Sequence, residues 1–302
     1  MQGYIHPGYA DSLTEFGTPH SLPLSEGCIL ERQIPGSSLC DAMGCYPLFC
    51  CKNWDGFYED IQALGRDKGL VSLSLVADPF GGQQLDDLQR CFDVVIPFKE
   101  HYVADLQRPL AEIVSRRHSR KVRRALRTVQ VNASDQPYEF INEWVDLYRN
   151  LIDRHGIAGI KAFSEEAFIK QLSLPGAYML RVSLGGVTIG AKIYYLQGEV
   201  VHCHLGAVSQ KGYEVGAFFA LDCFALEYFA DKARWHNLGG GSGFTNEFND
   251  GLCRYKSGWA TETRTCYFCG KIFDERSYAE LVSNKAIAPT TYFPAYRKGE
   301  FG

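Results

Sequence analysis

Tyr255-Lys256-Ser257-Gly258 sets a lysine between an aromatic residue and a Ser-Gly pair, shortly after the glycine run Gly239-Gly-Gly-Ser-Gly243. Lys256 is either a surface residue of a loop or a cation placed to meet negative charge. Upstream, His202 and His204 flank Cys203. On a strand the two imidazoles share one face and the thiol takes the other. Acyl transfer to an amine needs a neutral nucleophile, an oxyanion stabiliser and a group that removes a proton. His204, nearer Gly206, is the first candidate for that base or relay, with a hydrogen-bonded core histidine as the plain alternative. Asp250 is a weaker candidate, as an orienting carboxylate. Cys203 and Cys253 are possible nucleophiles, although nothing in the sequence specifies a partner for either.

Two stretches fit anionic ligands. Ser209-Gln210-Lys211-Gly212-Tyr213-Glu214-Val215-Gly216-Ala217 lies between an expected strand and an expected helix. Backbone N–H groups at such a junction, with the helix dipole behind them, suit a pyrophosphate. Gln210, Lys211, Gly212, Tyr213 and Gly216 are the candidate donor-binding residues. The second stretch is a basic helix expected over residues 110–128, with Val114, His118, Val122, Ala125 and Leu126 on one face. Arg116, Arg117, Arg120, Lys121, Arg123, Arg124 and Arg127 occupy the other. This is either a solvated basic face or a surface for phosphate, which arginines grip through forked donors. Arg116, Arg120 and Arg124 are the candidate contacts to a phosphate-bearing acceptor.

The elements that position these residues follow from periodicity. Helices are expected over residues 54–68, 138–155, 164–172 and 216–235, and strands over 28–33, 70–77 and 92–98. Residues 177–184, 187–196 and 199–207 read as an antiparallel meander turning at Gly185-Gly186 and Gln197-Gly198. The alternation points to an α/β (α+β) class with mixed sheet and flanking helices. The polar stretch Asn132–Pro137 marks the expected division into domains 1–131 and 132–302. Formal net charge is −4 over 302 residues, so no global basic field advertises nucleic acid or membrane. Neither a signal peptide nor a membrane span is expected, which makes the cytoplasm the default. Eleven cysteines in a long chain without a leader read as reduced thiols, and Cys266-Tyr-Phe-Cys269 lacks companion ligands at zinc spacing, so no metal is expected.

The order of helices, meander, Gln210-Lys211-Gly212 loop and following helix resembles the GNAT acyltransferase fold. A more specific resemblance is to the FemABX group. It rests on Asp105-Leu106, the basic helix from His118 to Val131, and Trp144…Tyr148…Arg154-His-Gly156. Leu238-Gly-Gly-Gly241 and the box Gly251-Leu-x-x-Tyr-Lys-x-Gly-Trp-Ala260 complete it. The matches cover about residues 100–270. The resemblance implies two tandem GNAT-like domains and an acyltransferase of cell-envelope precursors. It implies that Lys256 stabilises charge on the tetrahedral intermediate or leaving group, and that Tyr255 shapes the pocket. The expected donor is acyl-CoA, acetyl-CoA foremost, acting on an amine of a phosphate-bearing acceptor such as a nucleotide-linked amino sugar. An aminoacyl-tRNA donor is the alternative within enzymes, and a non-catalytic nucleotide or nucleic-acid binder is the alternative outside them.

Overall fold

The computed structural model describes residues 1–241, 251–285 and 287–300. Contacts divide the chain into a terminal unit, residues 4–98 with 266–302, and a central unit, residues 1–3 with 99–265. The division expected between residues 131 and 132 falls inside a strand of the central unit, for a reason given below.

The terminal unit opens with α1 (Pro7–Asp11), β1 (Thr18–Leu22), β2 (Gly27–Gln33), β3 (Cys40–Gly44), α2 (Trp54–Lys68), β4 (Ser72–Val76) and α3 (Leu85–Cys91). Asn53 caps the start of α2, and Gly69 ends it at φ 61°, a left-handed conformation that glycine adopts without strain. Trp54, Phe57, Ile61 and Leu64 are buried at helical spacing and pack with Phe49, Leu73 and Leu75. The glycine- and proline-rich start of the chain forms three strands where one was expected.

The chain enters the central unit within β5 (Val94–Asp105), followed by α4 (Leu110–Ile113), α5 (Arg116–Ala125), β6 (Gln130–Ser134), α6 (Ile141–His155) and α7 (Glu165–Leu172). The meander is β7 (Ala177–Leu184), β8 (Val187–Gln197) and β9 (Val200–Val208). Then come α8 (Gln210–Val215), α9 (Ala217–Tyr228), β10 (Trp235–Asn237) and α10 (Gly251–Lys256). The strands of this unit run in the order β5-β10-β9-β8-β7-β6, antiparallel except for β10 beside β9. β11 (Glu262–Ile272) leads back to the terminal unit, where β1-β2-β3-β4-β11 is antiparallel except at β3–β4, and α11 (Glu275–Asn284) follows. Cys266 and Cys269 are buried on β11. Among the described residues no helix is long and apolar enough to cross a membrane, and no His, Cys, Asp and Glu side chains group as a metal site.

Two differences from expectation bear on function. The basic helix is not continuous from residue 110: Ser115 Oγ accepts the N–H of His118 at 3.3 Å and starts α5 afresh. The first half of the polar stretch after it, residues 132–134, belongs to β6, paired with β7 from Gln130↔Ser183 to Ser134↔Met179. The buried face of α5, His118, Val122 and Ala125, belongs with α9 and β7 to one apolar core. A cut after residue 131 would expose that face.

Candidate active site around Lys256

Lys256 ends α10, half-buried rather than on an exposed loop. Its ammonium donates to the carbonyl of Gly240 at 2.6 Å. Burial is the main cause that lowers its pKa, to about 8, with Lys192 and Lys99 pushing the same way and Cys203 and Asp222 opposing. Lys256 therefore stays mostly protonated at neutral pH but gives up its proton far more readily than an ordinary lysine.

Beside it lies a carboxylate that the motifs did not point to. Asp222 sits on α9, 1% exposed, and accepts from Lys192 Nζ of β8 and from the hydroxyl of Tyr255. Burial alone would pull Lys192 down, but its ion pair with Asp222 leaves its pKa raised. The Tyr255 phenol is held well above its ordinary value by burial and by Asp222. The triad fixes Tyr255, and through the same turn of α10 it fixes the neighbouring Lys256. Both charged residues interrupt apolar runs, Val187-Thr-Ile-Gly-Ala-Lys192-Ile-Tyr-Tyr-Leu196 and Ala217-Phe-Phe-Ala-Leu-Asp222-Cys-Phe-Ala-Leu226. A lone charge on a buried element needs a partner, and that was the available signal.

His204 is not brought to this group. The pairing of β8 with β9 shifts between Ile193↔Leu205 and Tyr194↔Cys203, which leaves His204 in a bulge. Its ring lies 5.1 Å from that of Tyr195 and 5.8 Å from that of Phe163, and its Nε2 meets Gln171 Oε1 at 3.3 Å. Burial lowers its pKa to about 3, so it is neutral. Tyr194 and Cys203, the partners on the other face of the strands, belong to the core under α9. His202, before the bulge, meets Asn237 Nδ2 through its Nδ1 at 3.2 Å. Burial raises the Cys203 thiol, although Lys192 and Lys256 pull it back. Asp250 lies outside the described residues.

The 209–217 stretch is a capped turn of helix rather than an open loop. Ser209 Oγ accepts the N–H of Gly212 at 3.2 Å, and Gly216 closes α8 at φ 74°. A Cβ on Gly212 would run into the carbonyl of Ile189, so this glycine serves close packing on β8. Gln210 Oε1 accepts from Arg154 at 3.0 Å, the Arg154 guanidinium lies 4.1 Å over the Tyr213 ring, and Lys211 pairs with Glu214 at 3.2 Å.

The basic helix does reach the Lys256 region. Arg116, Arg117, Arg120, Lys121, Arg123, Arg124 and Arg127 are all exposed. On the inner face, the His118 ring packs 4.7 Å from Trp259 and 5.4 Å from Tyr255, and a Cβ on Gly258 would overlap it. Lys121 Nζ stands 5.0 Å over Phe219, itself 5.2 Å from Tyr255. Ser115 N–H donates to Gly258 O at 3.0 Å. One aromatic patch therefore seats α5, through His118 and Lys121, against Tyr255, the residue before Lys256. A separate polar cleft of about 610 Å³ lies between α6 and the β7–β8 hairpin, lined by Glu143, Asn150, Arg181 and Thr188 among others, and holds neither Lys256 nor α5.

No family model matches the chain, and no curated protein does. Solved structures share its fold. A crystal structure of FemX superposes with a TM-score of 0.63 at 14% identity, covering 84% of this chain and 86% of that one. The C-terminal domain (DUF2156) of a putative lysylphosphatidylglycerol synthetase from Agrobacterium fabrum gives 0.66 at 13% identity, covering 94% and 93%. L-PGS from Bacillus licheniformis gives 0.62 at 12% identity, covering 96% and 99%. At such identities the likeness is one of fold, and it bears out the resemblance carried by the basic helix and the Gly-Leu-x-x-Tyr-Lys box: the chain has the GNAT-type, FemABX-like fold, a mixed and largely antiparallel sheet architecture flanked by helices.

Proposed function

We propose that the protein is an acyltransferase that moves an acyl or aminoacyl group to an amine, with one reactant held by its phosphates on α5. The observation that carries this reading is the packing of α5, the helix with the exposed arginines, through His118 and Lys121 onto the Phe219–Tyr255 patch beside Lys256. In the reaction the amine nitrogen attacks the acyl carbonyl, a C–N bond forms, and the tetrahedral intermediate carries a negative oxygen. Collapse breaks the C–S bond of a thioester or the C–O bond of an ester. The electron pair leaves with sulfur or oxygen, and the amine proton passes to the leaving group or to solvent. Protonated Lys256 suits the donor role toward that oxygen or leaving group, because a charge-assisted hydrogen bond in a partly dry site is worth more than one in water.

Acyl-CoA as donor and a phosphate-bearing amine, such as a nucleotide-linked amino sugar or another envelope precursor, as acceptor is the first assignment. An aminoacyl-tRNA donor is the second, and it has its own support. The capped, packed 209–217 turn offers less to a pyrophosphate than an open loop does, whereas six exposed cations along α5, with Arg127 just beyond it, suit a polyphosphate backbone. The fold neighbours named for lysylphosphatidylglycerol synthesis also favour a lipid-linked or phosphate-bearing acceptor. Thermal-shift titration separates the assignments. A ligand present at a hundred times its dissociation constant stabilises by about 2.7 kcal/mol. A shift with acetyl-CoA or longer acyl-CoAs supports the first assignment, and a shift with aminoacyl-tRNA alone supports the second. No shift and no product with either donor would return the chain to a binding role.

A further inference from the structure

Behind the Lys256 seat lies a buried polar chain that the proposed reaction does not use. Asn237, at the end of β10 and 2% exposed, makes three hydrogen bonds with its side chain. Oδ1 receives the N–H of Gly239 at 2.9 Å and meets Nδ1 of His101, on β5, at 3.1 Å. Nδ2 meets Nδ1 of His202, on β9, at 3.2 Å. We propose that Asn237 is the positioning residue for Lys256: it pins the Gly239–Gly241 turn and so fixes the carbonyl on which the ammonium rests. The proposal rests on the acyl-transfer role given to Lys256, and it adds a residue that role does not contain.

The hydrogen-bond roles leave little choice of orientation. A backbone N–H can only donate, so the oxygen of Asn237 must face Gly239, and its nitrogen therefore faces His202. His202 then accepts at Nδ1 and carries its proton on Nε2. His101, kept neutral by burial with a pKa lowered to about 3, carries its proton on Nδ1 and donates it to Asn237. One amide thus fixes two imidazole tautomers on separate strands, and its strongest geometric consequence falls on the turn. Gly239 is held at φ 75°, and a Cβ there would stand 3.3 Å from Lys256 Nζ. Lys99 Nζ takes the next carbonyl, Gly241 O, at 3.0 Å. Burial acts first on the charge state of Lys256, then Cys203 from β9, Lys192 from β8, Lys99 from β5 and Asp222 from α9, and Lys256 in turn helps keep His101 neutral. If Asn237 lets go, the carbonyl turns, water reaches the ammonium, and the desolvation that keeps Lys256 easy to deprotonate is relieved.

Competitive labelling of Lys256 with acetic anhydride, read by mass spectrometry of its peptide across pH, reports the titration without any substrate. The result therefore stands whether or not the acyl-transfer reading does. In the wild-type protein the midpoint should lie near 8. In Asn237→Ser, which loses the amide, and in Asn237→Asp, which adds a negative charge, it should rise by about one unit or more. That is about fivefold less neutral amine at the original midpoint, approaching tenfold well below it. A folded Asn237→Ser protein whose Lys256 titrates at the wild-type midpoint overturns the proposal. If acyl transfer is also measured, the Asn237 variants should lose kcat with KM nearly kept. A purely structural role would instead lower the melting temperature and leave the titration of the folded fraction unchanged.

Discussion

Each unit buries a carboxylate beside a Tyr-cation dipeptide, and the two clusters use the dipeptide differently. In the terminal unit Asp41 receives Arg297 Nε at 2.5 Å, Arg297 Nη2 at 2.8 Å and the hydroxyl of Tyr296 at 3.0 Å. Ser72 meets the same hydroxyl at 2.7 Å, and the rest of the Arg297 fork reaches Gln33 O and Glu300. Tyrosine and cation close on one carboxylate. In the central unit Tyr255 closes on Asp222, but the acidic partner is already held by Lys192, and Lys256 takes a backbone carbonyl instead. A guanidinium forked onto a carboxylate neutralises itself and staples distant chain segments. An ammonium on a neutral carbonyl gains no counter-charge, so its charge stays available and burial can lower its pKa. The first arrangement holds a fold together, and the second suits chemistry.

The comparison breaks first on stability. Arg297→Met strands Asp41 as a buried carboxylate missing its main partner, and such losses cost about 3–5 kcal/mol. Urea denaturation should show a loss of that order. Lys256→Met removes a cation that has no carboxylate of its own, so the melting temperature should move little. If both variants destabilise the protein alike, the two clusters are not different in kind.

Turnover should reverse the ranking. Lys256→Met should reduce kcat by about 10²–10³, the range for losing one oxyanion-stabilising donor. A variant turning over at near wild-type rate would make Lys256 a structural lysine like Lys192.

The pH dependence sharpens the same point. If protonated Lys256 does the work, kcat should fall as pH rises through about 8, and Lys256→Arg, which keeps its proton, should lose that limb. Stability moves the other way. An unfolded lysine holds its proton to about 10.4, so between 8 and that value the unfolded chain binds more protons, and this group's contribution to stability rises with pH. Lys256→Met should flatten that part of the profile. A wild-type rate that stays level to pH 10 would remove the low pKa from the mechanism.

The features legible beforehand were local. The meander with its glycine turns, α2 ended by Gly69 and α7 started by Ser164 follow from propensities and caps within a few residues. Lys256 stood out because its box is contiguous. The partners of Lys256 are dispersed: Lys192, Asp222 and Asn237 come from three elements, and only folding brings them to one turn. His204 illustrates the opposite error. Which face of β9 points at the chemistry depends on the bulge at His204 and on where α7 and α9 pack, and no spacing along β9 carries that information. The break at Ser115 is hard to see in the sequence, because a capping serine inside a basic, helix-favouring run looks like one more polar position.

The smallest expected effect tests the exposed part of the site. Arg120 and Arg124 lie four residues apart on α5, on one face, and both are exposed. Because they are exposed, their alanine variants should fold normally, unlike Arg297→Met. Each charge-assisted contact to phosphate is worth about 1.5–3 kcal/mol when well formed, and solvent screening reduces this at a surface. Arg120→Ala with Arg124→Ala should therefore raise the KM of the phosphate-bearing reactant by about tenfold at low salt, with kcat nearly kept. The difference from wild type should shrink as salt rises, because screening weakens the wild-type contacts first. The reactant affected also decides the assignment. A rise confined to the acceptor places the acceptor's phosphates on α5, and a rise confined to the donor places a CoA or tRNA phosphate there. Unchanged kinetics for both at low salt would leave α5 a solvated face, and the low pKa of Lys256 would then have to find its negative charge without the help of the guanidinium array.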